Sequence, residues 1–174
     1  MKTRTRSLRR VSVAACAVPL LLTGVAAGTA AAAAPRVAAQ SAPATLRATS
    51  ASEILALVNA ERAKVPNCPA LVENAQLTQA AQIHADDMAK NNLTGHTGSD
   101  GSNETARLDR VGYKWGAWGE NVSGPGYADA AAHVNGWMNS SSGIHKANIL
   151  NCNFTETGVA VAGDRVVEVF AKPL

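Results

Sequence analysis

Residues 157–171 read TGVAVAGDRVVEVFA, two runs rich in β-branched residues on either side of Gly163-Asp164. A two-residue Gly-Asp link between such runs is the pattern of an antiparallel hairpin, so strands are expected over 157–162 and 165–171. The chain before them is helical in rhythm. Tyr127–Ser140 carries Ala130, Val134, Trp137 and Met138 at helical spacing, and a segment opening near Asn74 places Leu77, Ala81, His84 and Met88 on one face. Ser50-Ala51-Ser52-Glu53 has capping-box spacing ahead of Ile54, Leu57 and Val58, and Pro66 stops that helix, which is expected to end near Lys64. Shorter helical pieces are expected over Glu104–Val111 and His145–Leu150, a brief strand at Glu120-Asn121-Val122, and a plain connector at Pro69–Val72. Helices precede strands. The fold class is therefore α+β, a three-layer helix–sheet–helix sandwich around a small antiparallel sheet.

The first 34 residues are not part of that fold. Five cations and no acid precede an apolar run over Val11–Val25 and small, Ala-rich residues up to Ala34. This charged, apolar, small-residue order is that of a secretory signal peptide, and the apolar run falls short of the roughly 20 residues a membrane span requires. Arg9-Arg10 also permits a twin-arginine route. Residues 35–49, rich in Ala, Pro, Ser and Thr, read as a flexible spacer, leaving 50–174 as one domain. The net charge of +3 over 174 residues becomes −2 once the leader is set aside. A mildly acidic domain without clustered Lys or Arg excludes nucleic acid as a partner. The expected location is extracellular, with no stable membrane span after processing. Cys16 leaves with the leader, and Cys68 and Cys152 remain. In an exported chain an even pair reads most simply as a disulfide, the alternative being two free thiols.

His96, Glu120 and His145 each lie at or near the end of an element rather than mid-helix, and their spacing alone assigns them no chemistry. There is no His-Glu-x-x-His run, no Gly-x-Ser-x-Gly elbow and no phosphate-cradling glycine loop. His84 falls on the apolar face of its helix and is expected packed against a backbone carbonyl. His133 falls off the stripe of Ala130, Val134 and Trp137 and is expected in solvent. Trp115 and Trp118 are expected in a loop with Tyr113, covering a sheet edge or rimming a surface for apolar or carbohydrate ligands.

Seven motifs occur in order: Asn59-Ala60-Glu61-Arg62; Leu77 with Ala80-Ala81 and His84; His96 followed by Asp100-Gly101; Arg107 with Gly112-Tyr113; Gly119-Glu120-Asn121-Val122; Trp137-Met138-Asn139-Ser140; and His145-Lys146-Ala147-Asn148-Ile149-Leu150. Together they resemble the bacterial branch of the CAP superfamily (cysteine-rich secretory, antigen 5 and pathogenesis-related-1 proteins), the SCP-like extracellular domain, over about Ser52 to Phe170. The resemblance implies an α–β–α sandwich with a cleft of two histidines and acidic residues, where zinc or another divalent cation has been placed. It carries His96, Glu120 and His145 into that cleft as metal ligands, and it assigns the place of a second acid after the helix-four tryptophan to Ser140. Asp100 is the acid that could replace it. Ile144 is an extra residue between Gly143 and His145, and a lengthened loop there could turn His145 out of the cleft. Lys146 in place of arginine loses bidentate pairing with a carboxylate.

Three roles for this group are open: a polar cluster that fixes the loops, a site for a metal or ligand, and a catalytic centre. With an incomplete acid set, the expected function is a non-catalytic binding module for a divalent metal, a small molecule, a lipid or an envelope component. The alternative is a metal-dependent hydrolase of peptide or envelope material, with Glu120 as ligand or base.

Overall fold

A computed structural model describes residues 49–174, so the leader and nearly all of the spacer lie outside the described residues. The elements in chain order are α1 (Ala51–Arg62), β1 (Val72–Glu73), α2 (Ala75–Asn91), α3 (Glu104–Arg110), β2 (Trp115–Ser123), α4 (Ala130–Met138), α5 (Ile144–Ile149), β3 (Glu156–Ala162) and β4 (Arg165–Pro173).

The hairpin forms as expected. β3 and β4 pair antiparallel from Glu156↔Ala171 to Ala162↔Arg165, with Gly163 at φ +62° in the turn. β4 is central and buried from Arg165 to Ala171, which is why it reads as a nearly unbroken apolar run rather than an alternation. Its two faces feed two cores. Val166 and Phe170 join Ile54 and Val58 of α1, Val134 and Trp137 of α4, and Ile149 of α5. Val167, Val169 and Ala171 join Leu77, Ala81, Ala85 and Met88 of α2 and Leu108 of α3. The result is α2 and α3 on one face of the sheet and α1, α4 and α5 on the other.

The strand order is β1-β3-β4-β2. The connector after Pro69 forms β1, two residues that pair parallel to β3 as Val72↔Glu156 and Glu73↔Thr157, adding a parallel edge to an otherwise antiparallel sheet. β2 is longer than expected and starts at Trp115, so both loop tryptophans belong to a strand; a shift in register between Trp115 and Ala117 marks an irregular start. Both pack as partly buried residues against the α2 core, the sheet-covering role.

Side-chain caps start the helices. Ser50 Oγ accepts from the Glu53 amide, Asn74 Oδ1 from Gln76 and Leu77, Asn103 Oδ1 from Ala106, and Asp129 Oδ1 from Ala132. α2 ends at Asn92, which takes the left-handed conformation at φ 53°. Where α2 crosses β3, a side chain on Gly158 would place its first carbon 2.0 Å from the Thr78 nitrogen and 2.1 Å from the Leu77 carbonyl carbon. Helix backbone therefore rests directly on strand backbone there.

Cys68 and Cys152 form a disulfide between positions 84 residues apart, joining the segment after α1 to the segment after α5. Arg62 serves the same junction. It is fully buried, and its guanidinium donates to the carbonyls of Pro69, Ile149, Asn151 and Phe154 at 2.8–3.0 Å.

His133 corrects the sequence reading. It is 1% exposed, shares a 2.6 Å hydrogen bond between its Nδ1 and Ser123 Oγ, and lies under the Tyr127 ring at 4.9 Å. α4 buries Ala130, His133, Val134 and Trp137, an i, i+3, i+4, i+7 stripe in which the imidazole occupies the i+3 place.

Candidate functional site

Four elements converge on Glu120. β2 pairs Glu120 with Val169, which turns its side chain toward α2 and α3. The polar loop after α2 brings His96, and the Nδ1–H of that ring donates to Glu120 Oε1 at 2.8 Å. α3 brings Arg107, whose Nη2 lies 3.1 and 2.9 Å from Glu120 Oε1 and Oε2 and also donates to the His96 carbonyl at 3.0 Å. α2 brings His84, whose Nε2 donates to the Gly95 carbonyl at 2.8 Å and stands 4.0 Å from Glu120 Oε1. His84 is thus the packed, carbonyl-bonded histidine expected, and it also borders the cluster.

The arrangement is layered. Arg107 and Glu120 are both 1% exposed at their side chains, a buried ion pair, while the His96 side chain is 41% exposed above them. The Glu120 hydrogen bond raises the His96 pKa above its ordinary value, with burial opposing. Burial lowers that of His84, with the Glu120 charge acting the other way. The two neighbouring imidazoles are thus shifted in opposite directions.

The second acid comes from Glu104, in the first turn of α3. Its Oε1 lies 3.6 Å from His96 Nδ1, and donor atoms of His96, Glu104 and Glu120 all fall within 4.8 Å of one another. Sequence reading missed it by looking beyond the α4 tryptophan. The available signal was helical: Glu104 and Arg107 are three apart, so they share a face of α3, and Leu108 fixes that helix to the core.

The other expected residues are not among these three donors. Ser140 follows α4, and its hydroxyl contacts Ser142 Oγ at 3.1 Å. Asp100 pairs with Arg110 at 3.1 Å on the outer side of α3. Its carboxyl is held well below the usual range, first by Ser102 hydrogen bonds and then by Arg110. His145 sits in the first turn of α5, half-buried, with its carbonyl accepting from Asn121 Nδ2 at 3.0 Å. Burial lowers its pKa, and so does the field of His96, yet it is outside the donor group. The additional Ile144 opens α5 and is 63% exposed.

The donor set suits a divalent cation: one imidazole and two carboxylates, spaced so that modest closure brings all three to one ion, with open positions left for ligand or water. Among the described residues no helix is long and apolar enough to cross a membrane.

Comparison with known proteins gives a consistent picture. The YkwD protein of Bacillus subtilis (strain 168) is 31% identical over 107 residues, which are 62% of this chain and 40% of that protein. The chain therefore spans well under half of that relative's length. An extracellular SCP-domain protein of Bacillus anthracis superposes with a TM-score of 0.64 at 30% identity, covering 70% of this chain and 39% of that one. An outer surface protein of Borrelia burgdorferi shares the fold at a TM-score of 0.62 and 20% identity, over 71% of this chain and 92% of its own. The sequence profile of the cysteine-rich secretory protein family, CAP, matches residues 55–170, and the chain belongs to that family.

Proposed function

We propose that the protein is an exported, non-catalytic binding module whose cleft takes a divalent cation of the zinc class at His96, Glu104 and Glu120. The grouping of those three donors within 4.8 Å carries the reading. Both Glu120 oxygens accept from Arg107, and one also accepts from His96, so the carboxylate is held in place by a cation already beside it, and a metal would take the position of the His96 proton. That favours binding over hydrolysis. A cation would replace the proton that His96 shares with Glu120, so affinity should rise with pH through the raised His96 pKa. The leader-like order of residues 1–34 supports export, as do related structures described as extracellular or outer-surface proteins.

Zinc titration by calorimetry tests this. Saturable binding near one ion per chain is expected, weakened at pH 5.5 relative to pH 7.5 and abolished in Glu104→Gln. No heat, together with an unchanged melting temperature in zinc, overturns it. Chelator-sensitive turnover of peptide or envelope substrates that disappears in Glu120→Gln would instead establish the hydrolase.

A further inference from the structure

The disulfide joins two segments that other contacts also hold. Leu71, three residues after Cys68, is buried in the same apolar core as Ile149 and Phe154, which lie on either side of Cys152. Asn59 of α1 fixes the first segment again: its Nδ2 donates to the Leu71 carbonyl at 3.1 Å and its Oδ1 accepts from the Leu71 amide at 2.8 Å. Arg62, about one turn further along α1, links the two segments. Its Nε–H and one Nη2–H go to the Pro69 carbonyl at 3.0 and 2.9 Å, its Nη1–H groups to the Ile149 and Asn151 carbonyls at 2.8 and 2.9 Å, and the other Nη2–H to the Phe154 carbonyl at 2.8 Å. All five donors of the guanidinium are thereby used. Pro69 directly follows Cys68 and Asn151 directly precedes Cys152, so the clamp grips the neighbours of both cysteines and neither sulfur.

We infer that Arg62 assembles this junction before the cysteines are joined, so that the disulfide closes on a site already formed and the fold stands without it. A rigid planar fork with five donors matches four carbonyls drawn from two segments, an arrangement that the three rotatable donors of an ammonium cannot copy. Opening the junction while the core stays closed would leave a buried guanidinium without its partners, so the assembled form is favoured whatever the state of the sulfurs. With the ends of the 84-residue loop held together in this way, the two thiols meet at high effective concentration. Joining Sγ to Sγ passes two electrons and two protons to an external disulfide such as that of glutathione, which leaves as two thiols. Asn148, next to Ile149, donates to the Glu120 carbonyl at 3.2 Å, so the same clamp steadies one edge of the cleft in either redox state.

Replacing both cysteines in the whole chain, Cys68→Ser with Cys152→Ser, tests it. The variant is expected to fold, with the Arg62 Nε–H and the Leu71 and Phe154 amides keeping slow hydrogen exchange in heteronuclear NMR. Unfolding of this variant, or loss of the protected Arg62 Nε–H, overturns the inference. A second measurement equilibrates the unsubstituted protein and Arg62→Lys with glutathione and reads the Cys68–Cys152 link from peptide masses. Arg62→Lys should lower the effective concentration of the thiol pair about tenfold, the equivalent of one net hydrogen bond to a charged group. An equilibrium unchanged by Arg62→Lys overturns the inference as well, and should that variant fail to fold, the paired serine variant decides alone. Neither measurement involves a cation, so the outcome is separate from that of the zinc titration.

Discussion

Two buried carboxylates face opposite sides of the same sheet in different surroundings. Glu120, on edge strand β2, is 4% exposed and sits against Arg107 and His96. Glu168, on central strand β4, is 0% exposed; Thr157 Oγ1 lies 3.2 Å from its Oε1, and its Oε2 meets no partner among the described residues. Burial pushes the Glu168 carboxyl up to about 8, against the weaker pulls of Thr157 and Arg62. The two acids are equally deep but differ in company: a guanidinium pairs directly with Glu120, whereas a single hydroxyl lies beside Glu168.

The largest break in this comparison comes from Arg107→Met, which gives Glu120 the isolation of Glu168. It should cost about 3–5 kcal/mol in chemical unfolding, as removal of one partner from a buried pair does. A loss under about 1 kcal/mol would mean that water reaches Glu120. Glu168→Gln should act in the opposite direction. Because the folded pKa of Glu168 is raised, the wild-type protein loses stability as pH climbs from about 4.5, where the unfolded state releases the proton, through about 8, where the folded state does. The variant should remove a few kcal/mol of that decline, read from urea midpoints across the pH range. An unchanged slope would place its origin elsewhere.

A smaller effect is expected from His96→Gln. The raised His96 pKa contributes stability that is present below about 6.5 and lost as pH rises past its folded value. With the ring 41% exposed, solvent screening holds this to under about 1 kcal/mol, measurable as a pH-dependent difference in melting temperature. Smallest of all, Glu104→Gln should change stability by less than about 0.5 kcal/mol, since its side chain is 19% exposed and meets His96 only at 3.6 Å. Its effect should appear in cation affinity alone, and a large stability loss would make Glu104 a structural residue.

The layers were legible because patterning and packing agree. The Val-rich hairpin and the Leu77–Met88 stripe each name their buried face directly. β2 was half legible: Gly116 and Gly119 interrupt its apolar rhythm, and its irregular start leaves Trp115 and Trp118 looking like loop residues. β1 has two residues and no pattern to read, because its pairing depends on β3 more than 80 positions later. His133 was misread because it was set outside the stripe of Ala130, Val134 and Trp137, whereas its i+3 place belongs to the buried face and a Ser123 hydroxyl satisfies its ring there. At the site, His96 and Glu120 came through the family resemblance rather than from spacing. Glu104 was hidden because a charged residue in the first turn of a short helix looks like ordinary capping. Arg62 entered only as the end of the Asn59-Ala60-Glu61-Arg62 motif, and the four carbonyls around its guanidinium come from segments that only the fold brings together.

The contact at Gly158 seats the helix that carries His84. Main chain lies on main chain at that point, so the first turn of α2 has no side-chain cushion between it and β3. His96 hangs beyond the end of that helix, on the stretch from Asn92 to Ser102. That stretch is itself pinned, by the Gly95 carbonyl on His84 and by the turn in which Gly98 N–H donates to the Ser102 carbonyl and Gly101 N–H to the Gly98 carbonyl, so the imidazole of His96 is held in place from both sides.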